Sequence, residues 1–318
     1  MEQLNNVDLT ELLLSDKKEY YKKLREQCLL LKDRQLHIGQ ELIKNVYPLF
    51  RGYKLELEGV ENIPKDSNAI FLFNHSNSHD IFTAYEILSQ LQRRGSVMVA
   101  TDCLNAVTTE IFNISNATLL DRRNKDERHN SILRLSNKIL NRNDGVIFGE
   151  GTWNIHPILS MHNIRKGVSV ISAITQVPII PTIVEYIEND GIIKSENDLY
   201  KKCLIRFGKP IMIDYDIDLI IQTSKLRENM MDIRNQIWRD YNIRRSKISD
   251  VDPTIYLNHT YLKKFKAFGF TYDSEKEQEF LLFLDNESKE NEYTIDTDGN
   301  FKPGITEKNS ELKKILYK

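Results

Sequence analysis

The run Asn74-His75-Ser76-Asn77-Ser78-His79-Asp80 sets a histidine and an aspartate five positions apart. A histidine braced by a carboxylate is the smallest apparatus for general-base catalysis. The carboxylate fixes the imidazole tautomer and stabilises the imidazolium, while the other ring nitrogen takes a proton. A turn between the two residues would let their side chains meet. The same run offers a rival chemistry. His75 and His79 stand at i and i+4, and on one face of a helix they could join Asp80 in binding zinc, as in a metal-dependent hydrolase. No third ligand at a clear spacing accompanies them. The default for His79 is an exposed or helix-capping residue, and for His156, His162 and His259 a satisfied or exposed one.

The elements around this run decide between the readings. Residues 69–73, AIFLF, form a short continuous apolar stretch, as expected of a strand buried on both faces. It feeds directly into Asn74 and His75, and a helix is predicted from about 80 to 91. The same pattern recurs twice. A short strand at 118–120 ends at Asp121-Arg122-Arg123, and one at 145–148 ends at Gly149-Glu150-Gly151-Thr152. Further strands are predicted at 53–60, 96–101, 177–186 and 203–207, and helices at 104–113, 126–142, 166–175 and 224–245. Strands alternating with helices of this length argue for a layered α/β domain over about 53–245. In such domains chemistry sits at the carboxyl ends of strands, where the three polar clusters fall.

Taken in order, four blocks resemble the glycerolipid acyltransferase family, which includes glycerol-3-phosphate and 1-acylglycerol-3-phosphate acyltransferases. Its NHxxxxD block is matched by Asn74, His75 and Asp80; its arginine after an apolar strand by Arg122; its FPEGTR block by Phe148, Glu150, Gly151 and Thr152; and its VPIxP block by Val177, Pro178, Ile179 and Pro181. Arg165-Lys166-Gly167 and Gly208-Lys209-Pro210 also look like the family, and the resemblance covers about 60–225. For the fold it implies a mixed sheet flanked by helices. For function it implies transfer of a fatty acyl group from acyl-CoA or acyl-carrier protein to a hydroxyl of a lyso-phospholipid, glycerol phosphate or related lipid. His75 would deprotonate the acceptor, oriented by Asp80. Asn74, Arg122, Glu150, Gly151, Thr152 and Pro178 would surround the substrate: the Arg122 guanidinium offers a fork of donors suited to phosphate, Gly151 lets the backbone approach the ligand, and Pro178 would shape the strand edge beside an acyl channel. No metal or organic cofactor is required. Glu150 has an alternative role, tying its own turn by accepting backbone N–H bonds. The third block departs from the family at two positions, with Gly149 in place of Pro and Trp153 in place of Arg. The lost arginine removes a phosphate contact, and Trp153 could stack on a sugar or line an acyl pocket instead.

Composition narrows the partners. Among 318 residues, 40 % are hydrophobic and 28 % charged, enough for a sizeable core, and the net charge of -2 argues against a nucleic-acid partner. Cys28, Cys103 and Cys203 are scattered and odd in number, the pattern of a reduced, cytoplasmic compartment. The opening residues show no secretory pattern. The longest uncharged apolar stretch, 168–184, holds Pro178 and Pro181 and is short of the roughly 20 apolar residues of a bilayer span. Membrane contact is therefore expected to be peripheral if present, at the inner face. Basic clusters at 121–142 and 225–247, each with seven Lys/Arg against three Asp/Glu, could meet anionic headgroups or an acidic carrier, but read first as solvated helix faces.

Three regions are expected: an N-terminal helical segment (1–52), the α/β acyltransferase domain (53–250) and a small acidic α+β extension (251–318). Residues 16–47 read as one long helix or a helical hairpin, opened by Asp16 with Glu19 as a capping pair, loosened at Gly39 and stopped before Pro48. Tyr21, Leu24, Cys28, Leu31, Ile38 and Leu42 follow a heptad seam interrupted at Gln35. It serves packing against the rest of the protein or, in the sharper reading, self-association. Residues 271–300 carry ten acidic and two basic residues, with 279–285 and 292–298 able to pair as a hairpin. The alternative to an enzyme is a lipid-binding protein of the same fold that does not turn over substrate.

Overall fold

The apolar run at 69–73 becomes β2 (Ile70–Phe73), every residue of it buried, at the centre of a seven-stranded sheet. The computed structural model describes residues 13, 15–33, 35–76, 79–101, 104–151, 154, 161–188, 200–241, 293–295 and 301–303. The other strands of the sheet are β1 (Lys54–Glu58), β3 (Gly95–Ala100), β4 (Thr118–Leu120), β5 (Asp144–Phe148), β6 (Ile179–Glu188) and β7 (Tyr200–Phe207), in the order β1-β7-β6-β2-β5-β3-β4. All neighbouring pairs are parallel except β6 with β7. The fold is thus a mixed α/β sheet flanked by helices.

Successive side chains of a strand point to opposite faces, and β2 divides the core accordingly. Phe71 and Phe73 join one apolar cluster, with Ile81, Tyr85 and Leu88 of α3 (Asp80–Gln90), Ile43 of α2 (Ile38–Phe50) and Phe112 of α4 (Ala106–Ile114). Ile70 and Leu72 join the other, with Tyr21, Leu24 and Cys28 of α1 (Lys17–Leu30), Leu135 and Ile139 of α5 (Lys125–Leu140), Ile171 of α6 (Gly167–Thr175) and Met230 of α7 (Leu219–Asp240). Burial on both faces explains why the strand lacks alternation in sequence. Cys28 and Cys203 are both buried as free thiols.

The N-terminal segment is two helices rather than one. Asp16 caps α1 by accepting the Glu19 N–H at 3.0 Å, and Tyr21, Leu24 and Cys28 go into the core. The chain then breaks, and Asn137 of α5 secures the break by donating to the carbonyls of Cys28 and Leu31. Beyond it, Ile38 and Leu42 are exposed, so the heptad seam does not continue. Pro48 lies inside α2 instead of ending it, although a proline there cannot donate the i→i−4 bond of its turn. Gly39 does not loosen α2. It brings that helix against Ser115, and Gln40 beside it donates to the carbonyls of Gly95 and Ser115.

Asp218 caps α7 by accepting from the N–H groups of Ile220 and Ile221, so that helix begins five residues before the expected 224. The basic cluster at 121–142 is not wholly solvated: Lys138 is 4 % exposed and donates to the carbonyls of Asn116 and Ala117. In the tail, β8 (Tyr293–Ile295) pairs antiparallel with β9 (Phe301–Pro303); the strand expected at 279–285 lies outside the described residues.

A Cβ at position 39 would come within 2.0 Å of the Ser115 Oγ and 2.9 Å of its backbone nitrogen. Gly39→Ala is expected to destabilise the fold by about 1–3 kcal/mol, the usual cost of overpacking, as a lower urea midpoint at unchanged slope.

Candidate active site

Two neighbouring strand ends carry the candidate site. Phe73 at the end of β2 is in register with Phe148 at the end of β5, and the segments that follow, 74–76 and 149–151, are joined by the bond from the His75 N–H to Glu150. Asn74 is fully buried, and its side chain is bonded to β6. Its Nδ2 donates to the Val184 carbonyl at 3.0 Å and its Oδ1 accepts the Val184 N–H at 2.7 Å. The amide of Asn74 therefore acts as a cross-strand bracket, fixing the backbone just before His75 against β6.

His75 and Asp80 meet as the spacing requires. His75 Nδ1 lies 2.8 Å from Asp80 Oδ2, with side-chain exposures of 12 % and 0 %. A carboxylate can only accept here, so Nδ1 carries the proton and the tautomer is set. Asp80 Oδ2 also accepts the Ser76 N–H at 2.7 Å. Asp80 opens α3, and a helix's first turn favours a negative side chain. The imidazole stacks on Phe148, centroid to centroid 4.4 Å at 29°, which limits the ring's rotation from a second direction.

Glu150 is buried at 1 % exposure, and both carboxylate oxygens accept backbone N–H groups: Oε1 from His75 at 2.8 Å and Oε2 from His162 at 2.7 Å. Of its two expected roles, the geometry displays the turn-tying one. Burial pushes its pKa up to about 7, against the pull of the two N–H donors and of the Arg234 and Arg227 charges.

Arg122, 8 % exposed, donates from a terminal nitrogen to the Gly151 carbonyl at 2.6 Å, joining the end of β4 to the same turn. Arg123 and His129 are exposed. Gly151 adopts φ +69°, where other residues are strained, and sits beside the Arg165 side chain. Pro178 is not brought to the pair. Its carbonyl accepts the Ile70 N–H, so it lies at the amino end of β2, while His75 follows the carboxyl end. Thr152 and Trp153 lie outside the described residues, as do Cys103, His156 and His259.

His79 takes a separate course from His75. Its Nδ1 lies 2.9 Å from the Tyr47 hydroxyl, the start of a hydroxyl chain through Tyr53, Thr83 and Tyr186 with steps of 2.8, 3.0 and 3.1 Å. Rather than being exposed or capping through its side chain, His79 is half-buried and ties α3 to α2. Among the described residues, no group of three or more His, Cys, Asp or Glu is arranged to hold a metal ion.

Sequence reasoning missed two residues of α7. Arg227 is 3 % exposed and donates to the carbonyls of Met161 and His162, and Arg234 is 6 % exposed and donates to Glu185 at 2.8 Å. The signal was available. Leu226, Met230 and Ile237 mark the buried face of this helix, and positions 227 and 234 fall on it at helical spacing.

Residues 54–185 match the Acyltransferase family model. The likeness to acyltransferases read from the motif blocks stands over that segment, which contains His75, Asp80, Arg122 and Glu150 and supports acyltransferase activity. Among solved structures, the chain is similar to the 1-acyl-sn-glycerophosphate acyltransferase PlsC from Thermotoga maritima, at 19 % identity and a TM-score of 0.46, over 77 % of this chain and 99 % of that one. No curated protein matches the chain significantly. Helix α7 lies beyond the matched segment.

The Glu150 carboxyl has an ordinary value of 4.5 and a folded value of about 7. Between these the folded protein keeps a proton that the unfolded chain has released. The stability this group contributes is complete below the unfolded value and is lost as pH rises through the folded one. Wild-type protein is therefore expected to lose stability relative to Glu150→Gln from pH 4.5 to 8, by roughly 3 kcal/mol. Urea unfolding of both proteins across that range measures the difference.

Proposed function

We propose that this protein transfers a fatty acyl group from a thioester donor, acyl-CoA or acyl-carrier protein, to a hydroxyl of a lyso-phospholipid or related lipid. The observation that carries the reading is the 2.8 Å bond between His75 Nδ1 and the buried Asp80 carboxylate, at a strand end inside the segment that matches acyltransferases. With Nδ1–H committed to Asp80, Nε2 is the nitrogen that takes the acceptor's proton. The deprotonated oxygen attacks the thioester carbonyl, the C–O bond forms, the C–S bond breaks, and the proton passes to the departing thiolate. Asp80 holds the tautomer and stabilises the imidazolium. The chemistry needs no cofactor beyond the donor. Arg122, beside the Glu150–Gly151 turn, supplies positive charge for a phosphate-bearing acceptor.

The membrane side of the reading rests on α2. Ile38, Leu42, Val46, Leu49 and Phe50 are all exposed along one side of it, Leu49 at 77 %, while Gln40 and Ile43 are buried. A helix so divided suits the interface of a bilayer. From the same helix, Tyr47 reaches His79, the neighbour of Asp80, so an apolar acceptor held at this face would lie close to the pair. No helix among the described residues is long and apolar enough to cross a membrane.

Labelled acyl-CoA and acyl-carrier protein, presented with a panel of lyso-lipids and glycolipids and read by mass spectrometry, test the activity. His75→Ala is expected to abolish transfer, and Asp80→Asn to slow it roughly 10³–10⁴-fold; wild-type turnover by His75→Ala, or lipid binding without turnover by the intact protein, would overturn the reading. In a flotation assay with anionic vesicles, Leu49→Glu with Phe50→Glu should cut partitioning about tenfold or more. Unchanged partitioning would remove α2 as the contact surface.

A further inference from the structure

We infer that Arg227 and Arg234 of α7 are positioning residues for His75, acting through Glu150 from outside the segment that matches acyltransferases. This inference rests on the function proposed above for the role of His75, though the contacts behind it stand on their own. The two arginines are seven residues apart and lie on one buried face of the helix. From Arg227, Nε donates to the His162 carbonyl at 3.1 Å and a terminal nitrogen to the Met161 carbonyl at 2.8 Å. One planar guanidinium thus spans two consecutive carbonyls, which a lysine could not do in a fixed geometry. The N–H of that same His162 donates to Glu150, and the other oxygen of Glu150 accepts the His75 N–H. An unbroken series of hydrogen bonds therefore runs from α7 to the backbone of the candidate base.

Arg234 reaches the same place from the other side. Its Nε donates to Glu185 on β6, next to Val184, whose backbone holds Asn74 and so the residue before His75. The carboxylates of Glu150 and Asp80 also lie within the field of Arg234. Around Glu150, then, two arginine charges come from α7, Glu185 from β6, Asp80 from α3, Arg122 from the end of β4, and Arg165 and His162 from the segment before α6. A carboxylate with both oxygens given to N–H donors must be ionised to accept both fully, and burial opposes that ionisation. The α7 arginines supply compensating positive charge.

The test uses the full chain labelled with ¹⁵N-histidine, in which only seven residues, among them His75 and His162, carry the label. Substitution of His162 and Glu150→Gln assign the two amides. In the wild type both amide signals should shift with pH at one common midpoint, the ionisation of Glu150. Arg234→Gln and Arg227→Gln should each raise that midpoint by about one pH unit, the effect of a unit charge across several ångströms of protein. Arg234→Lys should restore it. For transfer, each glutamine variant should lower kcat roughly tenfold to a hundredfold with KM little changed, and the acid limb of the rate profile should move up with the midpoint. In the Glu150→Gln background Arg234→Gln should no longer move that limb. A folded Arg234→Gln protein with an unmoved midpoint, or an equal shift of the acid limb with Glu150 already replaced, would overturn the inference. A wild type that transfers no acyl group would defeat the proposed function instead, while the amide titration would still decide the positioning role.

Discussion

An imidazole can serve as a base only if its orientation is held against thermal rotation, and here the holding group is a carboxylate with no exposed surface. Asp80 meets His75 Nδ1 at 2.8 Å and the Ser76 N–H at 2.7 Å. A buried anion is tolerable only when hydrogen bonds and nearby charge replace its lost water, so the contacts of Asp80 with His75 and Ser76 cannot relax without cost. Much of the neighbouring structure serves that constraint. Asn74 brackets the strand end to β6, Glu150 holds the His75 N–H, and Phe148 lies flat against the ring. Removing any one of these leaves the pair within reach of its partner but with more freedom to miss the productive geometry.

What could be read from the sequence, and what could not, follows from the range of the forces involved. The central strand was legible because burial on both faces leaves an uninterrupted apolar run, and the 69–73 run became β2. The meeting of His75 with Asp80 was legible because the two residues stand only five positions apart. The role of Asn74 was not, and for Glu150 two roles stayed open: each is decided by backbone groups distant in sequence, Val184 in one case and His162 in the other. A motif shows which residues assemble, and only the fold shows which atom each one touches. Pro178 belongs to the same lesson. Its block lies in the matched segment, but strand direction carries it to the amino end of the sheet, away from the pair.

Helices gave the larger discrepancies, because a helix can change the face it buries wherever the chain is interrupted. Tyr21, Leu24 and Cys28 point into the core, and the break secured by Asn137 turns Ile38 and Leu42 outward. One apparent seam is thus two unrelated faces, the first buried in the core and the second exposed. In α7 the reverse occurred. Its many charges suggested a solvated helix, yet Arg227 and Arg234 lie on the face that carries Met230 and Ile237. Charge count reported the whole helix, whereas burial is decided residue by residue around its circumference.

Arginine suits such a buried position better than lysine does. Its charge is delocalised, it stays protonated at any ordinary pH, and its fork can satisfy two carbonyls or a carboxylate in one plane. Arg227 uses that fork on the carbonyls of Met161 and His162, and Arg234 uses its charge on Glu185 while stacking over Trp238 at 4.9 Å. The Arg227 contacts fall on Met161 and His162, between Glu150 and α6, and the Arg234 contact falls on β6. The third motif block lacks its closing arginine, yet two arginines from a helix far along the chain act on its glutamate. The positive charge of both is felt at the buried Glu150 carboxylate, so under the function proposed above a phosphate-bearing acceptor would have to rely on Arg122.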